Sequence, residues 1–186
     1  MMMQYLPLLT LLSTHFLSLN AFAPTLTTRS MRLTNNAALT SSSSTSSQLE
    51  MSAGGVVITG AAGGVGYAYA GEFMDRGYNV VICDVKDCSA AAKALASQHT
   101  NGTVFHTKCD VSNAQAVEAL GKFAKDNLGT VNYWINNAGV NGGRRALRDV
   151  PVSQVELVVK VNLLGVLLCT KVAMDIMAEQ VSATKK

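Results

Sequence analysis

From Met51 onward, apolar positions recur in two alternating patterns. Val56-Val57-Ile58 is a short β-branched run ending at Thr59-Gly60, and it predicts a first strand. A helical stretch follows from about Gly64 to Arg76, with Gly77 placed to close it. Asn79 to Cys83 predicts a second strand, and the Ala-rich stretch Ser89 to His99 a second helix ended by Asn101-Gly102. Thr103 to His106 reads as the third strand. Ser112 with Gln115 has capping-box spacing and opens a helix running to about Leu128, before Gly129. Val131 to Ile135 reads as the fourth strand. Ser153 with Glu156 forms a second capping box, opening a long helix that reaches Gln180. Strands alternating with helices predict an α/β fold: a doubly wound parallel sheet with helices on both faces, joined by right-handed crossovers.

The first fifty residues follow neither pattern. Leu6 to Leu19 is apolar apart from a few Ser, Thr, His and Pro positions, and Ala21-Phe22-Ala23 places small residues after it. That is the shape of a signal peptide over residues 1–23, although its n-region has no Lys or Arg. A membrane-anchoring or buried helix is the alternative. Residues 24–50 are Ser- and Thr-rich, and Ser41 to Ser47 is nearly pure hydroxyl. Such a segment buries too little apolar surface to offset its ordering entropy and is expected to be disordered. Up to residue 49 it also carries Arg29 and Arg32 and no acid, which is transit-peptide composition. Signal followed by transit peptide resembles the bipartite leader of algae whose plastids lie within extra membranes, with Ala21-Phe22-Ala23-Pro24 at the junction. The expectation is a plastid address; a secreted or endomembrane protein with a Ser-rich linker is the alternative.

Charge changes the picture little. The formal net charge is +3, yet all twelve acidic residues lie at Glu50 or later, where thirteen basic residues nearly balance them. The excess sits in the leader, so nothing points to DNA or RNA. Cys83, Cys88, Cys109 and Cys169 form no CxxC pair and have apolar neighbours, which suits reduced core thiols rather than a zinc site. Residues 51–186 have the apolar content for one domain with its own core.

Candidate chemistry begins at Thr59-Gly60-Ala61-Ala62-Gly63-Gly64-Val65-Gly66, between the first strand and first helix. A helix N-terminus offers unpaired N–H groups and a positive dipole end, and side-chain-free positions let a diphosphate approach them. The spacing is T-G-x-x-x-G-x-G rather than G-x-G-x-x-G. Asp84 closes the second strand, 20 residues after Gly64. An acid at that distance accepts the ribose hydroxyls of adenosine and repels a 2′-phosphate, which favours NAD over NADP.

Four landmarks now stand in order: Thr59-Gly-x-x-x-Gly-x-Gly66, Asp110-Val111 after the third strand, Asn136-Asn137-Ala138-Gly139 after the fourth, and Asn162 in the long helix. Together they resemble the short-chain dehydrogenase/reductase family over residues 54 to about 180. The resemblance implies a Rossmann-like fold, NAD or NADP as cofactor, and a small carbonyl or alcohol substrate. It implies cofactor contacts at Thr59, Gly60, Gly64, Val65, Gly66 and Asp84, an adenine border at Asp110 and Val111, and a cleft lined by Asn137, Ala138 and Gly139. It places Asn162 in an Asn-Ser-Tyr-Lys catalytic set. Within the family, Trp134-Ile-Asn-Asn-Ala-Gly139, Asn162-Leu-x-Gly165 and Ala173-Met174-Asp175-x-Met177 look like chlorophyll b reductases of the stay-green type, which reduce the 7-formyl group of chlorophyll b, usually with NADPH. A plastid 3-oxoacyl-carrier-protein reductase-like enzyme is a further alternative. Asp84 departs from the pattern of an NADPH user.

Asn162 falls on the stripe Val155, Val158, Val159, Asn162, Val166, Cys169, Ala173, and a polar amide on an apolar face must find partners. A backbone or water partner and a core amide capping a strand both fit. Arg144, Arg145 and Arg148 read as a solvated face rather than a carboxylate clamp. The apolar run Leu157 to Cys169 is too short to span a membrane. It suits either a homo-oligomer interface or a core helix. None of Tyr5, Tyr67, Tyr69, Tyr78 and Tyr133 has Lys four residues later, whereas the family carries Tyr-x-x-x-Lys. The expectation is therefore a cofactor-binding part of an oxidoreductase whose C-terminal part of the fold is missing. A short nucleotide-binding or partner protein without catalysis is the second reading.

Overall fold

A computed structural model describes residues 54–184; the leader expectations for residues 1–23 and 24–50 lie outside them. Four parallel strands, β1 (Gly55–Thr59), β2 (Asn79–Asp84), β3 (Val104–Lys108) and β4 (Val131–Ile135), form one sheet in the order β3-β2-β1-β4. Helices α1 (Gly64–Asp75), α2 (Ser89–Gln98) and α3 (Ala114–Leu128) follow the first three strands. After β4 comes one continuous helix: α4 (Val152–Val159), a π turn (Lys160–Gly165) and α5 (Val166–Ala183).

The strand sequences explain the layering. Successive side chains of a strand point to opposite faces. Val56 and Ile58 of β1 join Val80 and Ile82 of β2 against Ala70 and Met74 of α1 and Ala92 and Leu95 of α2. Val57, Val81 and Cys83 face the other way, against Val117, Leu120 and Ala124 of α3 and Cys169 and Ile176 of α5. Val56, Val57 and Ile58 are fully buried, each contributing roughly 1.5–3 kcal/mol of transfer free energy. A continuous apolar run is what a strand covered on both faces requires. The expected doubly wound α/β arrangement is therefore present, and all four cysteines are free and buried.

Three local expectations are corrected. Ser112 does not cap α3: Asn113 does, its side chain accepting from Ala116 N at 2.9 Å. Ser112 is drawn instead into a turn, donating to Asp110 Oδ1 from both its N–H and its hydroxyl. Ser153 does not cap α4, which begins at Val152 after Pro151 with no side-chain cap. A proline N-cap leaves Ser153 already inside the first turn. The third correction is to the long helix's phase. Val155, Val159 and Asn162 are exposed, and the buried positions are Val161, Gly165, Cys169, Ala173 and Ile176. Cys169 and Ala173 of the expected stripe are buried as expected, whereas a π turn takes up an extra residue at Lys160–Gly165, so the same α spacing carried back through it puts Val155, Val159 and Asn162 on the wrong face.

The membrane reading also changes. The continuous helix Val152–Ala183 is 32 residues long, and by length and composition alone it is long and apolar enough to cross a membrane. In the fold it packs on α3 and β4. That packing accounts for its buried face, Val161, Gly165, Cys169, Ala173 and Ile176, and leaves Leu163, Leu167 and Met174 exposed.

Candidate nucleotide-binding site

The carboxyl ends of β1, β2 and β4 converge on the loop from Gly60 to Gly63. Gly60 and Gly64 have φ of 67° and 60°, the left-handed region that favours glycine. A Cβ on Gly60 would meet Ala138 Cα at 2.6 Å, and one on Gly66 would meet Asn137 Nδ2 at 2.6 Å and Gly60 O at 2.7 Å. These two glycines thus serve close packing of the β1 and β4 loops. Gly63 and Gly64 differ: nothing lies within 4 Å of their Cβ positions. Val65, beside them, is 62% exposed.

Helix α1 begins there without a side-chain cap and without an acid in its first turn. Its first N–H groups have no intrahelical partners and point into the open space over Gly63 and Gly64. That combination fits a diphosphate. A dinucleotide's phosphates would be held by the amides of Gly64, Val65 and Gly66.

Asp84 is tied to the same loop. Its Oδ2 accepts from Ala62 N at 3.2 Å and its Oδ1 from Lys86 N at 3.1 Å, while Ala61 N donates to Cys83 O at 3.0 Å. Two backbone amides fix the carboxylate, and each oxygen keeps a lone pair for a ribose hydroxyl.

The side chain of Thr59, expected among the cofactor contacts, is a brace. It is 1% exposed, and its hydroxyl accepts from Asn137 N at 3.1 Å and Ala138 N at 3.0 Å while facing Ile135 O at 3.4 Å. Asn137 answers by donating from Nδ2 to Thr59 O and Gly60 O, both at 3.0 Å. Asn136 donates to Thr170 Oγ1 on α5 at 3.0 Å. Ala138 packs over Gly60, and Gly139 leaves room beside Asn162.

Asp110 and Val111 part company. The Asp110 carboxylate is exposed and organises the turn to Ser112. Val111 is 6% exposed and lies against Gly165, where a Cβ would approach its Cγ2 to 2.8 Å. Its side chain belongs to the core. Asn162 clips the loop after β4, accepting from Val140 N at 2.9 Å and donating to Val140 O at 2.7 Å. Of the two readings, the backbone partner is the one found. Sequence reasoning missed Val140 and Gly165; the second shows in the sequence only as a glycine three residues after Asn162.

Three thiols underlie the β2–β3 side. Cys83 lies well above the ordinary thiol range, chiefly through its hydrogen bond with Cys109 and then through burial. The same bond lowers Cys109. Burial pushes Cys169 up to about 12.

A profile of the short chain dehydrogenase family matches residues 55–184. The probable chlorophyll(ide) b reductase NYC1, chloroplastic, of Arabidopsis thaliana is 36% identical over 142 residues, covering 67% of this chain and 29% of that protein. The chlorophyll(ide) b reductase NOL, chloroplastic, of the same plant is 38% identical over 128 residues, covering 67% and 36%. Among solved structures, a short chain dehydrogenase/reductase from Burkholderia phymatum in complex with NAD superposes with a TM-score of 0.65 at 32% identity, covering 70% of this chain and 46% of that one. The alcohol dehydrogenase of Thermococcus sibiricus complexed with 5-hydroxy-NADP gives 0.61 at 30% identity, covering 67% and 53%. The chain thus spans about a third of these curated relatives and about half of these solved chains. With the matched profile running from the first strand to the end of the long helix, the chain belongs to the short-chain dehydrogenase family.

Proposed function

We propose that this chain is the nucleotide-binding part of a plastid carbonyl reductase that uses NAD or NADP and acts on the formyl group of chlorophyll b. The observation that carries the nucleotide reading is the bare start of α1, open over Gly63 and Gly64 and flanked by the Asp84 carboxylate. When bound, the cofactor supplies the hydride carrier. The chain's own residues hold it: Gly64, Val65 and Gly66 by their amides, Asp84 by its carboxylate, and Asn137, Ala138 and Gly139 by walling the cleft. Asn162 acts as a positioning residue through the Val140 peptide. Asp84 favours NAD, because a 2′-phosphate would meet a carboxylate already fixed by two amides. Two relatives named as chlorophyll(ide) b reductases, both chloroplastic, support the substrate and compartment, together with the leader's composition.

Titration with NADH and NADPH, followed by the fluorescence of Trp134, the single tryptophan, tests the reading. Saturable binding is expected, tighter for NADH, and Asp84→Ser is expected to shift the preference toward NADPH. Absence of saturable binding by a folded sample would refute it. The second reading is a nucleotide-binding protein without turnover. Multiple-turnover oxidation of NADH or NADPH in the presence of chlorophyll b separates the two.

A further inference from the structure

The loop between β4 and α4 and the start of α4 border an open surface cavity of about 330 Å³ that the nucleotide contacts leave unused. Asn141, Gly142, Gly143 and Arg145 line it from the loop, and Ser153 and Gln154 line it from α4. Its volume is roughly ten times the ~30 Å³ share of one water, enough for a short side arm of a larger molecule. The wall is tied together: Gly143 N donates to Asn141 Oδ1 at 3.0 Å, and Gln154 Nε2 donates to Asn141 O at 2.8 Å. The next residue back is Val140, held by Asn162, so the cavity opens beside the cofactor cleft.

One charged side chain, Arg145, lines the cavity, and the loop around it is basic. Residues 141–151 carry Arg144, Arg145 and Arg148 against one acid, Asp149, which pairs with Arg148 at 3.7 Å. Arg144 and Arg145 form no ion pair among the described residues. No acidic side chain lines the cavity. A guanidinium at a cavity wall without an acid partner offers parallel N–H donors matched to a carboxylate.

We propose that this cavity is a subsite for a carboxylate arm of the substrate, with Arg145 as donor and Arg144 beside it. The proposal deepens the reductase reading and rests on it for the statement that the arm belongs to the substrate. In a formyl-bearing tetrapyrrole the arm is a propionate, and esterification removes its charge. The subsite therefore selects the free acid over the ester, a use open to Arg144 and Arg145 because they are solvent-exposed, as the sequence reading expects.

The test uses pheophorbide b and its methyl ester as probes, with the chain free of nucleotide and Trp134 quenching as the readout. The free acid is expected to bind about tenfold more tightly than the ester. Arg145→Gln is expected to close that gap while leaving ester affinity and NADH affinity unchanged, and Arg145→Lys to restore part of it. Equal affinity for acid and ester, binding of neither, or an acid preference that survives Arg144→Gln combined with Arg145→Gln would overturn the proposal. NADH affinity is measured separately, so its loss would strike the nucleotide-site reading and leave the acid preference readable.

Discussion

Gly63, Gly64 and Gly66 stand within four residues of one another and answer three different demands. Gly66 is hemmed in by Asn137 and Gly60 O, Gly64 is open but left-handed, and Gly63 is open with φ of −179°, extended backbone that any residue adopts. Alanine at each position separates the demands. Gly66→Ala is expected to cost about 1–3 kcal/mol of stability by overpacking the two loops. Gly64→Ala is expected to cost about 1 kcal/mol through its dihedral. Gly63→Ala should leave stability unchanged in urea denaturation, yet weaken NADH binding because its methyl group enters the open cradle. A Gly63→Ala chain that binds NADH like the parent would show that the diphosphate lies elsewhere. The glycine run was visible in the sequence as one motif. Its division of labour was not, because whether a missing side chain faces a ligand or a neighbouring loop depends on β4, some seventy residues away.

At the scale of the element, the helix from Val152 to Ala183 is stitched at two points, once to β4 and once to the loop after it. Asn162 pairs with the Val140 peptide, and Gln180 pairs with Val131 in the same manner, accepting at 2.8 Å and donating at 3.0 Å. The π turn lies at one of these points, and Gly165 within it lets Val111 approach. Strands, helix count and order were readable because period two and period 3.6 differ strongly. The π turn was not, since a single extra residue leaves composition unchanged while rotating everything beyond it. The caps were misplaced for a related reason: Asn113 and Pro151 competed with Ser112 and Ser153 one or two residues away, and only backbone geometry chooses between them.

The same helix carries a pH effect. Burial raises Cys169 to about 12 and Cys88 to about 11 from an ordinary value of 9.0. In the unfolded chain these thiols ionise above pH 9, whereas in the fold they keep their protons. Stability is therefore complete below pH 9 and falls as pH rises toward these values. Thermal unfolding is expected at progressively lower temperature between pH 9 and pH 11, and Cys169→Ala should reduce that slope relative to its own value at pH 7. An identical slope in the variant would contradict the assignment.

For the whole molecule, the outward face of the long helix is what remains unaccounted for within one chain. Leu163, Leu167 and Met174 are each more than half exposed. Contiguous apolar surface of this kind marks an interface. Self-association is expected in sedimentation velocity, and Leu163→Glu combined with Leu167→Glu should shift the sample toward monomer without changing NADH affinity. Sedimentation as a monomer by the unmodified chain would exclude that use of the face. The long helix was evident from the sequence, predicted from Ser153 to Gln180 and found from Val152 to Ala183, but which of its faces stays uncovered was not, because that depends on where α3 and β4 pack.

Thr59, Asn137 and Ala138 lock the turn after β1 to the turn after β4, and β4 forms one margin of the sheet. A molecule lying along that margin and ordering residues 136–140 would share its free energy with whatever sits over Gly63, and the exchange is mutual by thermodynamic necessity. Nucleotide affinity is in that sense a gauge of the company β4 keeps.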